Sequence, residues 1–144
     1  MKVDFHTGVA DKLGAACRFL RKAHEGGATV TVCADPVTLD QLDRALWSFE
    51  PQSFVAHVRV KGGAQPASPT PTRIWLVDNV ASIESVELLL NLGPDQVEGW
   101  ERFARVVEIV SGEPADADAG RQRWRQYSAH RGLELVHHAR AAGA

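Results

Sequence analysis

The stretch ATVTVCADPVTLDQLDRALWSFE, residues 28–50, decides the fold. Its first eight residues are rich in β-branched side chains and lie between Gly27 and Pro36, the composition of a short buried strand. Asp35 is placed to cap a helix, and Pro36 falls at the first helical position, where a missing N–H is tolerated. At about 100° per residue, Leu39, Leu42, Leu46 and Phe49 gather within about 80° of one another. The segment is therefore strand, cap and amphipathic helix, the repeating unit of a parallel α/β sheet.

Outward from this unit the alternation continues. KVDFHTG (2–8) reads as a first strand, and Leu13, Ala16, Cys17, Leu20 and His24 lie at helical spacing before Gly26-Gly27. FVAHV (54–58) reads as a short strand, KGGAQPASPTPT (61–72) as a surface loop, and RIWLVDN (73–79) and VELLLNLG (86–93) as two further strands. Pro94 is expected to open a helix with Val97, Trp100, Phe103, Ala104 and Val107 on its apolar stripe, ended by Ser111-Gly112. Pro114 opens a last helix, acidic early and basic late, in keeping with the helix dipole. LELVHH (133–138) closes the pattern as a final strand, in which His137 and His138 point to opposite faces. The expected fold is one α/β domain over residues 1–144, a three-layer Rossmann-like arrangement with a mostly parallel sheet flanked by helices.

Composition narrows the function classes. The 144 residues carry a net charge of −2 and are 44% hydrophobic, and no apolar run approaches the ~18 residues of a membrane span. The start MKVDFHTGVADK has no apolar signal region, and Cys17 and Cys33 build neither a disulfide framework nor a zinc spacing. A cytoplasmic protein without membrane association is expected. Charge is uneven: residues 1–120 hold 11 basic and 17 acidic side chains, whereas residues 121–144 hold five arginines against Glu134 alone. A basic end on an acidic body points to an anionic partner, with a solvated helix face as the alternative.

Catalytic signatures are missing. There is no G-x-G-x-x-G, no G-x-x-x-x-G-K-[ST], no G-x-S-x-G and no close histidine ligand set. No cofactor and no metal are expected. One enzyme-like group remains, His6 and Thr7 on strand one with Asp35 after strand two, if these strands are neighbours. It carries the alternative reading, a small nucleotide-binding α/β enzyme working at the carboxyl ends of strands one and two.

Two features suit binding instead. Trp47 lies over about 100° from the middle of its helix's leucine stripe, so it either packs at the core edge or faces a partner, and Phe54 follows just past Pro51. In GRQRWRQYSAHRG (120–132), Arg121, Trp124, Arg125 and Ser128 share one face at i, i+3, i+4 and i+7, while Arg123, Tyr127 and His130 lie on another. Two guanidinium forks beside an indole suit a carboxylate on an aromatic or apolar side chain, or a phosphate backbone with stacked bases.

The string LDRALWSFEPQSFVAHV (42–58) resembles the chi subunit of bacterial DNA polymerase III, in which L-D-x-x-L-W is followed after a Pro-containing turn by S-F-V-x-H. FARVVEIV (103–110), an acidic spacer and RQRWRQY (121–127) extend the resemblance over nearly the whole chain. It implies a non-catalytic accessory subunit of a DNA-directed DNA polymerase complex in DNA replication, found with the replisome on the nucleoid. It further implies that Val110, Arg121, Trp124 and Arg125 bind the acidic, Phe-terminated C-terminal tail of the single-stranded DNA-binding protein SSB. Trp47 and Phe54 would meet the psi subunit of the clamp loader, or a helicase competing for that surface. Position 124 is Trp where the family usually has Tyr. Direct nucleic-acid binding is expected to be weak at most, because the body of the domain is acidic.

Overall fold

The computed structural model describes residues 1–48, 55–60, 73–83 and 87–139. Its elements are β1 (Lys2–Val9), α1 (Lys12–Glu25), β2 (Val30–Cys33), α2 (Pro36–Ser48), β3 (Val58–Val60), β4 (Ile74–Val77), β5 (Leu88–Asn91), β6 (Arg105–Ser111), α3 (Pro114–Ser128) and β7 (Glu134–Ala139). The seven strands form one sheet in the order β3-β4-β2-β5-β6-β1-β7, and every neighbouring pair is parallel. The α/β expectation holds.

The sheet separates two cores. On one face Val30, Val32, Ile74, Leu76, Leu88, Leu90, Val107 and Ile109 meet Ala16, Cys17 and Leu20 of α1 and Leu39, Leu42 and Leu46 of α2. On the other face Val3, Phe5, Leu89, Val106 and Val110 meet Trp100, Phe103 and Tyr127. Alternate residues of each strand thus serve opposite layers, as the two-residue period of a strand requires. Each fully buried Leu of α2 contributes about 1.5–3 kcal/mol of transfer free energy. Asp11 caps α1 by accepting from Gly14 N at 3.0 Å. Asp35 caps α2 as expected, accepting from Thr38 N at 3.1 Å and Thr38 Oγ1 at 2.7 Å. These bonds, the hydroxyl's foremost, hold its carboxyl below the usual range.

Three expectations need correction. The helix expected from Pro94 up to Ser111-Gly112 is a series of turns, one 3₁₀ turn at Trp100–Arg102, and then strand β6. Gly99 has φ +89°, outside right-handed helical space, and it turns the chain before Trp100. Val106, Val107, Ile109 and Val110 are all β-branched and favour the buried strand that β6 becomes. The strand expected at 54–58 lies at Val58–Val60. Residues 55–57 are irregular because His57 turns its ring back, with Nδ1 2.8 Å from Val55 O and Nε2 2.7 Å from Asp43 Oδ1 on α2. Finally, β1 and β2 are not neighbours, since β6 and β5 stand between them.

A candidate binding cleft on the arginine helix

The position of α3 begins with a polar network inside the sheet's second face. Glu108 of β6 is fully buried. Its Oε1 accepts from Arg123 Nε at 3.0 Å, its Oε2 accepts from Tyr127 Oη at 2.8 Å, and Asn91 Nδ2 lies 3.1 Å from both oxygens. Arg123 Nη1 donates to Pro94 O at 2.7 Å, and Asn91 Nδ2 donates to Asp95 O at 2.8 Å. Burial pushes the Glu108 carboxyl upward, against the pull of the guanidinium, the phenol and the amide. Burial, and then the Glu108 charge, push the Tyr127 phenol upward as well, so it stays protonated and donates. One arginine of the basic helix is therefore an internal strut, and α3 is pinned to β6 and to the turn after β5.

With Arg123 and Tyr127 facing inward, the helical period turns Arg121, Trp124 and Arg125 toward β1 and β7. Between α3 and the sheet lies a cleft of about 570 Å³ lined by Val110, Gly120, Arg121, Trp124, Arg125 and His137, with Phe5, Thr7 and Gly8 on the β1 side. Trp124 is half-buried, its ring edge-on to Phe5 at 5.3 Å and to His137 at 5.8 Å. Close approach of helix and sheet depends on Gly120: a Cβ built there would lie 2.8 Å from Val110 Cγ1 and 2.9 Å from Cγ2. Val110 is buried and forms part of the cleft floor, while Arg121 and Arg125 are exposed at its mouth. Arg121 is paired with Asp118 on its own helix. The four residues named from the sequence, Val110, Arg121, Trp124 and Arg125, thus come together in one cleft.

Sequence reasoning missed Phe5, Gly120 and His137. The alternation of LELVHH separated the faces of His137 and His138, yet only the pairing of β7 with β1 tells which histidine meets α3.

Trp47 is 60% exposed at the end of α2, its ring 5.1 Å from His57. Its expected companion Phe54 lies outside the described residues, as does Phe49 of the leucine stripe. The enzyme-like group is not assembled. His6 stacks on His138 at 4.6 Å, Thr7 Oγ1 lies 2.6 Å from His137 Nε2, and Asp35 caps α2 after a strand separated from β1 by two others. A second cleft of about 780 Å³ covers the carboxyl ends of β1, β5 and β6, where α/β folds often hold phosphates. Here it is lined by Asp11, Glu113 and Asp116, and Lys12 is engaged by Asp116 at 3.1 Å. Burial alone would raise Asp116, but the Ser111 N–H at 2.7 Å and Lys12 outweigh it and hold the carboxyl below its usual range. An incoming phosphate would meet three carboxylates and a lysine already paired. Among the described residues no group of three or more His, Cys, Asp or Glu side chains could hold a metal ion, and no helix is long and apolar enough to cross a membrane.

Fold and cleft together define an all-parallel α/β domain with a cationic, aromatic-walled cleft beside an edge strand. Residues 1–135 match the family described as "DNA polymerase III chi subunit, HolC". The chain is 31% identical over 131 residues to the DNA polymerase III subunit chi of Pseudomonas aeruginosa, an alignment covering 88% of each. It is 26% identical over 113 residues to the DNA polymerase III subunit chi of Haemophilus influenzae, covering 77% of this chain and 76% of that one. The chain belongs to the family of DNA polymerase III chi subunits.

Proposed function

We propose that this chain is a non-catalytic adaptor of DNA polymerase III that holds the acidic, Phe-terminated C-terminal tail of SSB in the α3 cleft. The observation that carries the reading is the meeting of two exposed guanidinium groups with a half-buried indole over an apolar floor. A peptide ending in Phe presents a carboxylate one residue's length from an aromatic ring, and this cleft offers both complements. The ring enters between Trp124 and Val110, against the edge of Phe5. The terminal carboxylate and neighbouring acidic side chains take charge-assisted hydrogen bonds from Arg121 and Arg125. Arg121 exchanges Asp118 for the ligand, an exposed ion pair whose loss costs about 0–1 kcal/mol. Such a contact is small, so micromolar affinity is expected, about −8 kcal/mol, weakening as salt rises.

The Trp47 end of α2 is the surface we propose for the psi subunit, with Phe54 seven residues on in the sequence. An indole left 60% exposed on a helix whose leucines are fully engaged supports a docking role there. A helicase partner would compete for the same surface, and the complex would work in the cytoplasm at the replication fork.

The test is fluorescence anisotropy of a labelled Asp-rich peptide with a free C-terminal Phe, beside the same peptide amidated. Micromolar binding of the free acid is expected, with a loss of about 1.5–3 kcal/mol in Arg121→Ala and a similar loss on amidation. Equal binding of the two peptides, or full affinity in Arg121→Ala, would sink the carboxylate clamp.

A further inference from the structure

His137 belongs to the cleft but has no part in the arginine clamp just described. It projects from β7 on the face that meets α3, while His138 projects to the other face, where its Nε2 lies 3.0 Å from Asp4 Oδ1. Among the described residues the groups around the His137 ring are few. Thr7 of β1 holds its Nε2 at 2.6 Å, α3 contributes Trp124 with Arg121 and Arg125, and β6 contributes the uncharged Val110 and Ser111. Among the described residues none that lines the cleft carries a carboxylate, and Asp118 of α3 is paired with Arg121.

We propose that His137 is a third, proton-coupled anion ligand of this cleft, so that an acidic peptide binds more tightly as pH falls through the imidazole range. The inference rests on the reading of the cleft as a peptide-tail site. A ligand carboxylate supplies a negative partner that favours the imidazolium and that the described lining of the cleft does not provide. Binding of the anion favours the charged ring and so draws up to one proton from solvent onto it, and linkage makes the affinity pH-dependent by the fraction taken up. Thr7 fits this role. Its hydroxyl donates to a bare Nε2 or accepts from Nε2–H, so the ring keeps its orientation in both protonation states. The carboxylates of the peptide titrate far below this range, leaving histidine as the side chain that changes charge.

The experiment measures anisotropy of the labelled Asp-rich, Phe-terminated peptide at constant ionic strength from about pH 5.5 to about pH 8. Wild type is expected to bind roughly 5- to 10-fold more tightly at the acid end, against a ceiling of tenfold per pH unit for one proton. His137→Gln keeps a hydrogen bond to Thr7 but cannot titrate. Whatever its absolute affinity, it should show a flat profile across the pH range. His24→Gln, on α1 away from the cleft, should keep the full slope. Calorimetry in two buffers of different ionisation enthalpy should register proton uptake in wild type and none in His137→Gln. A flat wild-type profile, or an undiminished slope in His137→Gln, overturns the proton-coupled role while leaving the tail site standing. Absence of binding at every pH overturns the tail site and this inference with it.

Discussion

Replacing Gly120 by alanine tests whether the cleft exists because α3 lies unusually close to β6. At an ordinary position in the middle of a helix this change stabilises by up to about 1 kcal/mol through helix propensity. Here the new methyl would stand 2.8 and 2.9 Å from the two γ-carbons of Val110. Carbon atoms attract best at about 3.5–4.0 Å, so helix and strand must separate by roughly 0.8 Å at this point. Val110 cannot readily yield, because a buried β-branched side chain has little freedom at χ1 and both of its methyls are in the way. Overpacking of this kind costs about 1–3 kcal/mol, which outweighs the propensity gain and leaves a net loss of about 1 kcal/mol. For a chain of this length that is a fall in Tm of roughly 3 °C. Urea titration and thermal melts of Gly120→Ala, Val110→Ala and the double variant form a cycle. The double variant should recover about 0.5–3 kcal/mol relative to the sum of the singles, since removing the γ-carbons makes room for the new methyl. Tail affinity should fall several-fold in Gly120→Ala, because the displaced helix carries Arg121 and Trp124. A rise in Tm with undiminished peptide binding would show that helix and strand have room to spare and would refute the reasoning.

Other perturbations follow from the same contacts. Trp47→Ala should abolish capture of the psi subunit in a pull-down while leaving peptide affinity at α3 within twofold; loss of both would mean that α2 and the cleft are not separate surfaces. Arg123→Met strands the Glu108 carboxyl at 0% exposure and should cost about 3–5 kcal/mol by urea denaturation, whereas Arg121→Met should cost under about 1 kcal/mol. Asp4, Asp35 and Asp116 all have carboxyls held below their ordinary range in the folded chain. Each therefore stabilises the fold above the unfolded carboxylate range near pH 4 and loses that contribution as pH falls through its lowered folded value. Urea midpoints should decline below about pH 4, and Asp116→Asn should make the decline shallower. An unchanged acid limb in that variant would remove the Lys12–Asp116 contact from the account.

Local signals carried the first half of the chain. Asp35-Pro36 marked the start of α2, and the β-branched residues before it marked β2, because caps and propensity act over a few residues. The same locality misled at Val97, Trp100, Phe103 and Val107. Their spacing of three and four imitates a helix, whereas their common burial comes from a 3₁₀ turn followed by a central strand. The β-branched content of RVVEIV was the better guide. Strand order was out of reach for a different reason. Nothing near His6 or Asp35 records that β5 and β6 will insert between their strands, so two residues that adjacent strands would bring together lie apart in the fold. The cleft was half legible: helical period placed Arg121, Trp124 and Arg125 on one face, but not the opposing wall of Phe5, Thr7 and His137. Arg123 was hidden by its surroundings in sequence. One buried arginine among exposed ones reveals itself only through Glu108, whose neighbours in the sequence carry helical spacing although it lies on a strand.

The strand order has a mechanical meaning. Trp47 rides on α2 over the β3–β4 end of the sheet, and the arginine cleft opens at the β1–β7 end. Seven strands leave six gaps between these margins, roughly 29 Å at about 4.8 Å per gap. Ligands at the two margins would touch no residue in common, so neither would have to displace the other. A pull exerted between them would run across the sheet, perpendicular to the strands, and would load the inter-strand hydrogen bonds along their length in series rather than in shear. The sheet thus behaves as a spacer of set length whose load limit is its weakest pair of neighbouring strands.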